Sequence, residues 1–135
     1  MKTVFADTGY WLALLNPRDQ LHGKVRVVSA SLGHVRIITT EMVLDEVLAG
    51  LSAPSARATA VNAVDKVLAN PNVEVVPQTS LQFREAFDLY KGRMDKEWSL
   101  TDCASFNLMK DRGMVEALAH DEHFVQAGFV ALLRD

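Results

Sequence analysis

Short runs rich in β-branched residues alternate with longer stretches of helical periodicity along this chain, and that alternation restricts its fold more than any other feature. Strand signals fall at residues 3–6 (TVFA), 35–38 (VRII), 73–76 (VEVV) and 116–119 (EALA). Between them, apolar residues recur at helical spacing over 9–15, 20–32, 41–51, 55–69, 81–90 and 101–112. Strands separated by helices pair in parallel, with right-handed crossovers that lay the helices on the sheet. The expected fold is α/β, a three-layer α/β/α sandwich with a central parallel sheet. The breaks (NPRD at 16–19, SAP at 52–54, NPN at 70–72 and VP at 76–77) are too short to be linkers, so residues 1–135 read as a single domain. At 135 residues and 49% hydrophobic, the chain can bury a core without staples.

Charge and cysteine content exclude several function classes. A net charge of -3 gives no bulk basic surface for holding nucleic acid, so an anionic substrate must be held locally. The lone Cys103 rules out an internal disulfide and, with no cysteine/histidine cluster, a zinc framework; a reducing cytoplasmic setting fits. The N-terminal MKTVFADTGYWLALL is interrupted by Asp7 and lacks a small-residue cleavage site, so it reads as neither a signal peptide nor a membrane span.

Ligands of parallel α/β sheets bind beyond the carboxyl ends of the strands. Asp7 directly follows the first strand, and Asp121 follows the last expected one. Each has a second reading as a helix N-cap, a position that aspartate favours. Glu46 lies in TTEMVLDEVLAGL, at the border of the apolar face formed by Val43, Leu44, Val47 and Leu51, whereas Asp45 points away. Asp102 lies in KEWSLTDCASF, where Ser99-Leu100-Thr101-Asp102 has the spacing of a capping box. It also shares a stripe with Phe106 and Met109 that packs on the sheet, which turns the acid inward. If these acids converge, two carboxylates about 4 Å apart repel by about 4 kcal/mol at an effective dielectric of 20. Shared protons or a divalent cation must offset that repulsion. Oxygen ligands without thiolates favour Mg²⁺ or Mn²⁺, and such a site can activate water and clamp a phosphoryl group.

With VFADTGYWLALLNPRDQLH, TTEMVLDEVLAGL, DKEWSLTDCASF and ALAHDEHFVQAGF in this order, the chain resembles the PIN domain, in particular VapC-type toxin ribonucleases and their stand-alone relatives. The resemblance places the family's acids on Asp7, Glu46, Asp102 and Asp121, with Thr8 and Thr101 as supporting hydroxyls. It implies cleavage of single-stranded or structured RNA dependent on Mg²⁺ or Mn²⁺, with Asp7, Asp102 and Asp121 as metal ligands and Glu46 binding the ion or orienting water. The implied products carry a 3′ hydroxyl and a 5′ phosphate. It also implies a homodimer and, in the toxin branch, an antitoxin that blocks the site. Asp95 matches an acid present in part of the family.

A haloacid-dehalogenase-type phosphatase needs Asp-x-Asp after its first strand, but Gly9 stands where the second acid would be. A receiver domain needs an acidic pair there, and only Asp7 is present. The remaining alternative is a non-catalytic PIN-fold module that binds RNA or protein, for which clustered negative charge near phosphates brings no benefit. His120 and His123 read as incidental rather than as a zinc site. Most basic residues read as solvated surface; the exception is YKGRMDKEW, whose Lys91, Arg93 and Lys96 precede Asp102 and are candidate RNA contacts, with Trp98 either packing in the core or stacking on a base.

Overall fold

The computed structural model describes residues 1–134. Its sheet has five parallel strands, β1 (Lys2–Ala6), β2 (Val35–Thr40), β3 (Val73–Val76), β4 (Glu116–Leu118) and β5 (Val130–Ala131), in the order β3-β2-β1-β4-β5. The helices are α1 (Thr8–Leu15), α2 (His22–Leu32), α3 (Glu41–Gly50), α4 (Pro54–Ala69), α5 (Ser80–Gly92), α6 (Leu100–Asp111) and α7 (Glu122–Gln126). Each strand expected from the sequence forms, although β4 stops one residue early at Leu118. Strand β5 and helix α7 were not anticipated, because two and five residues are too short to carry a periodic signal. Helix α2 begins at His22 rather than at residue 20, because the Asp19 side chain accepts the Leu21 amide at 2.8 Å and holds a turn there.

The layers follow from strand order and handedness. The crossovers β1 to β2 and β2 to β3 step in one direction, so right-handedness puts α1 to α4 on one face. The chain then returns across the sheet to β4, and the same rule puts α5, α6 and α7 on the other face. Helix contacts agree: α1 packs on α2 and α3, whereas α6 packs on α5 and α7. Central strand β1 is covered on both sides, which is why Val4, Phe5 and Ala6 form an unbroken buried apolar run. The exception in the core is Thr39 of β2, whose hydroxyl donates to the Ala6 carbonyl at 2.9 Å and accepts from Trp11 Nε1 at 3.3 Å.

Reversal of strand order between β1 and β4, which run parallel, opens a crevice above their carboxyl ends. The floor is tied together by the Asp7 amide, which donates to the Leu118 carbonyl at 3.2 Å. Below it, Phe124 of α7 meets Phe106 of α6 edge-to-face at 5.0 Å and Phe5 at 6.3 Å, anchoring the small C-terminal unit to the sheet. Replacing the fully buried Phe124 with alanine is expected to lower stability by about 3–5 kcal/mol. Urea denaturation checks this, with exposed Val125→Ala on the same helix expected to stay within about 0.5 kcal/mol of the parent.

Candidate metal centre

Asp7 is the residue between β1 and α1, at the N-cap position of that helix. Its side chain makes no capping hydrogen bond, and it is buried at 5% exposure. Asp121 likewise stands at the N-cap of α7 without capping it. Both acids therefore occupy cap positions without using their carboxylates as caps. Asp102 does cap: its amide donates to Ser99 Oγ at 3.0 Å, and its Oδ2 accepts the Ser99 amide at 3.1 Å. The capping box pins one carboxylate oxygen and the backbone of the first turn, and the side chain remains buried at 7% exposure on the inward face of α6. The two readings of Asp102, helix cap and inward-facing acid, are thus both realised.

One carboxylate oxygen from each of Asp7, Asp102 and Asp121 lies within 4.8 Å of the others. Asp7 and Asp102 are buried and Asp121 is exposed, so the cluster is a pit open on one side. Burial pushes the Asp7 carboxyl up to about 7; the charges of Asp102, Asp121 and Glu46 add to the rise, while a hydrogen bond from the Thr8 amide opposes it. Burial also raises Asp102, against the Ser99 hydrogen bonds and the nearby His123, with Asp121 adding to the rise. Among the described residues, ion pairs lie elsewhere, at Lys2–Glu116, Arg36–Glu74, Lys91–Asp88, Arg93–Asp95, Lys96–Asp95 and Arg112–Glu74. An all-oxygen donor set of this spacing, two of its members buried, fits a small hard cation.

Glu46 stands outside the three-acid set but within its field. Helix α3 is started by Thr40, whose hydroxyl accepts the Val43 amide at 3.0 Å. Val43, Leu44 and Val47 are buried, Asp45 is exposed, and Glu46 is half-buried between these faces. Its Oε1 accepts a 2.6 Å hydrogen bond from the Thr8 hydroxyl, so Thr8 orients Glu46 while its amide holds Asp7. Thr101 is buried, but its hydroxyl makes no hydrogen bond to a carboxylate among the described residues; its carbonyl accepts from Ser105.

The basic segment before Asp102 divides. Lys91 sits over the Phe87 ring at 4.7 Å and beside Asp88 at 3.5 Å. Arg93 is paired with Asp95 through two hydrogen bonds and lies over the Trp98 ring, and Lys96 is 3.7 Å from Asp95. Trp98 itself is a core residue, buried edge-to-face on Phe106 at 5.0 Å with its Nε1 donating to Gln126, so it does not stack on a base. The sequence read His123 as incidental, but its buried Nδ1 has no partner among the described residues and its ring is close enough to influence Asp102. Its place two residues after Asp121, in the first turn of α7, is visible only once that short helix is known.

The profile of the PIN domain family matches residues 4–130. The chain belongs to the PIN domain family. The 23S rRNA-specific endonuclease VapC20 of Mycobacterium tuberculosis, from strains CDC 1551 and H37Rv, is 32% identical over 127 residues, covering 94% of this PIN domain chain and 95% of the relative. The crystal structure of M. tuberculosis VapC20, described as a sarcin-ricin loop cleaving toxin, superposes with a TM-score of 0.86 at 30% identity, covering 94% of this chain and 96% of that one.

The raised acids of the PIN site give the metal-free protein a definite pH dependence. Asp7 titrates near 3.8 when unfolded and at about 7 when folded, so the native state holds its proton more tightly. Its stabilising contribution is complete below the unfolded value and is lost as pH rises toward about 7. Glu74 and Asp95, each held down to about 2 by arginine, titrate below that window. Urea midpoints in EDTA are expected to fall between about pH 4 and about pH 7, and Asp7→Asn should flatten that slope. An equally steep slope in the variant would show that Asp7 is not its source.

Proposed function

We propose that this chain, acting as one domain over residues 1–135, is an endoribonuclease that hydrolyses phosphodiester bonds of single-stranded or structured RNA with Mg²⁺ or Mn²⁺. The observation that carries this reading is the meeting of Asp7, Asp102 and Asp121, from three separate elements, within 4.8 Å at the crevice where strand order reverses. These three would hold the ion, which when bound supplies Lewis acidity to a water and to the phosphoryl oxygens. Asp7 and Asp102 are fixed by buried backbone and by the Ser99 box, so the cluster is arranged before substrate arrives. Glu46, held through one oxygen by Thr8, keeps its other oxygen to orient the attacking water or accept its proton. In-line attack then leaves a 3′ hydroxyl and a 5′ phosphate.

The VapC20 likeness supplies the first substrate to try, a structured ribosomal RNA loop, and the idea of a protein antitoxin covering the acids. A cytoplasmic setting fits the buried free thiol of Cys103 and the absence of any helix long and apolar enough to cross a membrane among the described residues. The alternative of a non-catalytic module is disfavoured by the same cluster, because concentrated negative charge repels the RNA backbone unless a cation intervenes.

Asp102→Asn tests the site directly. Asparagine caps about as well as aspartate, so the fold should persist. RNA cleavage with Mn²⁺ should fall by orders of magnitude, and Mn²⁺ should raise the melting temperature of the variant less than that of the parent. Asp45→Asn, on the exposed side of the same acidic helix as Glu46, should leave cleavage nearly unchanged. Near-parental cleavage by the Asp102→Asn protein would remove the proposed site.

A homodimer belongs to the same reading, supported by exposed apolar residues, among them Val61 and Leu68 on α4 and, on the opposite face of the sheet, Phe83 and Phe87 on α5. Light scattering at micromolar concentration should give twice the chain mass. A monomer mass would overturn this part of the proposal.

A further inference from the structure

A concavity of about 160 Å³ is lined by Tyr90, Arg93, Met94, Lys96, Trp98 and Cys103. Its lining reaches the start of α6, where Cys103 directly follows Asp102 in the chain. The volume is well below the roughly 300–1,000 Å³ of a site for a whole cofactor-sized molecule. It is the scale of one planar ring system. The lining is half polar in character, with two cations and an exposed phenol, which distinguishes it from the apolar cleft between α1, α3 and α4.

Arg93 is built as a fixed plane in this concavity. Its guanidinium lies over the Trp98 ring at 4.9 Å, and two of its nitrogens bond the two oxygens of Asp95 at 3.0 and 3.1 Å. Trp98 is in turn held by Phe106 and by Gln126. With its carbon over the tryptophan ring and its nitrogens tied to Asp95, the guanidinium is held in place, and a side chain 41% exposed can be reached by a ligand. Unpaired RNA bases stack on arginine planes and on aromatic rings, and half-exposed Tyr90 stands in the same lining. Lys96 is bound to Asp95 only at 3.7 Å, so the pair of cations retains a surplus positive charge over the single aspartate. That surplus suits a neighbouring phosphate without making the pocket a strong anion site.

We infer that this concavity is a base-binding subsite, in which one unpaired base of the RNA strand stacks on Arg93 beside Tyr90 while Lys96 faces an adjacent phosphate. The inference rests on the nuclease reading and adds to it how the strand is placed: a base held here sets which phosphodiester reaches the acids. Arg93, Tyr90 and Lys96 are positioning residues in this scheme.

The test measures binding separately from cleavage. Fluorescence anisotropy of a labelled single-stranded RNA is read with the Asp102→Asn protein, using the intact strand and versions with an abasic nucleotide at each position in turn. One abasic position is expected to weaken binding by about tenfold, the scale of a lost base stack. Arg93→Lys, which keeps the charge and removes the plane, and Tyr90→Ala, at a half-exposed site, should each weaken the intact strand similarly. Neither should weaken the strand lacking that base any further. Parental affinity in both variants, equal losses with intact and abasic strands, or no binding by the parent would overturn the subsite. Cleavage by the wild-type protein reads the nuclease proposal on its own: base-dependent binding without cleavage removes that proposal and keeps the subsite, whereas cleavage with unaffected variants removes only the subsite.

Discussion

Repulsion among carboxylates held in a half-buried pit is the constraint around which this protein is arranged. Taken alone, it opposes folding: Asp7 is pushed up to about 7 by burial and by three neighbouring acids. A domain tolerates such an arrangement only when the rest of the fold over-determines it. Here the over-determination is visible. Asp7 follows a fully buried central strand and is tied through its amide to β4, and Asp102 is locked by a reciprocal capping box. Asp7 and Asp102 cannot move apart without breaking the sheet or unwinding a helix, so a cation bound between them would meet ligands already in place.

The supporting groups show an economy of use. Thr8 employs its amide on Asp7 and its hydroxyl on Glu46, coupling two acids through one residue at the start of α1. Thr39 and Thr40, adjacent at the end of β2, divide their work: one hydroxyl satisfies the core around Trp11 and Ala6, and the other starts the helix that carries Glu46. Ser99 does the same for Asp102. Thr8, Thr40 and Ser99 are thus committed to backbone and orientation, and the carboxylate oxygens that accept from neither Ser99 nor Thr8 remain as candidate metal ligands.

The segment between α5 and α6 joins the core to the surface beside the acids. Trp98 is packed inside, yet it carries Arg93 on its outer side, so a buried residue fixes the orientation of an exposed cation. With a net charge of -3 the chain has no bulk basic surface, and Arg93 is one cation whose orientation the fold fixes.

The sequence by itself determined the α/β alternation, the four longer strands, and the placement of Asp7 and Asp121 at strand ends. These follow from local periodicity and from which residues begin helices. It also determined that Asp102 lies on the inward stripe of α6, since Phe106 and Met109 at helical spacing oblige that face to be buried. Strand β5 and helix α7 stayed hidden because their stability comes from packing, through Phe124 on Phe106 and Phe5, and not from their own short sequences. Only the tertiary structure decided that two cap-position aspartates do not cap, that Thr8 is bonded to Glu46, that Trp98 is interior, and that His123 lies near Asp102. The distance between residues far apart in the chain is set by crossover geometry and strand order, and no local pattern in one sequence encodes it.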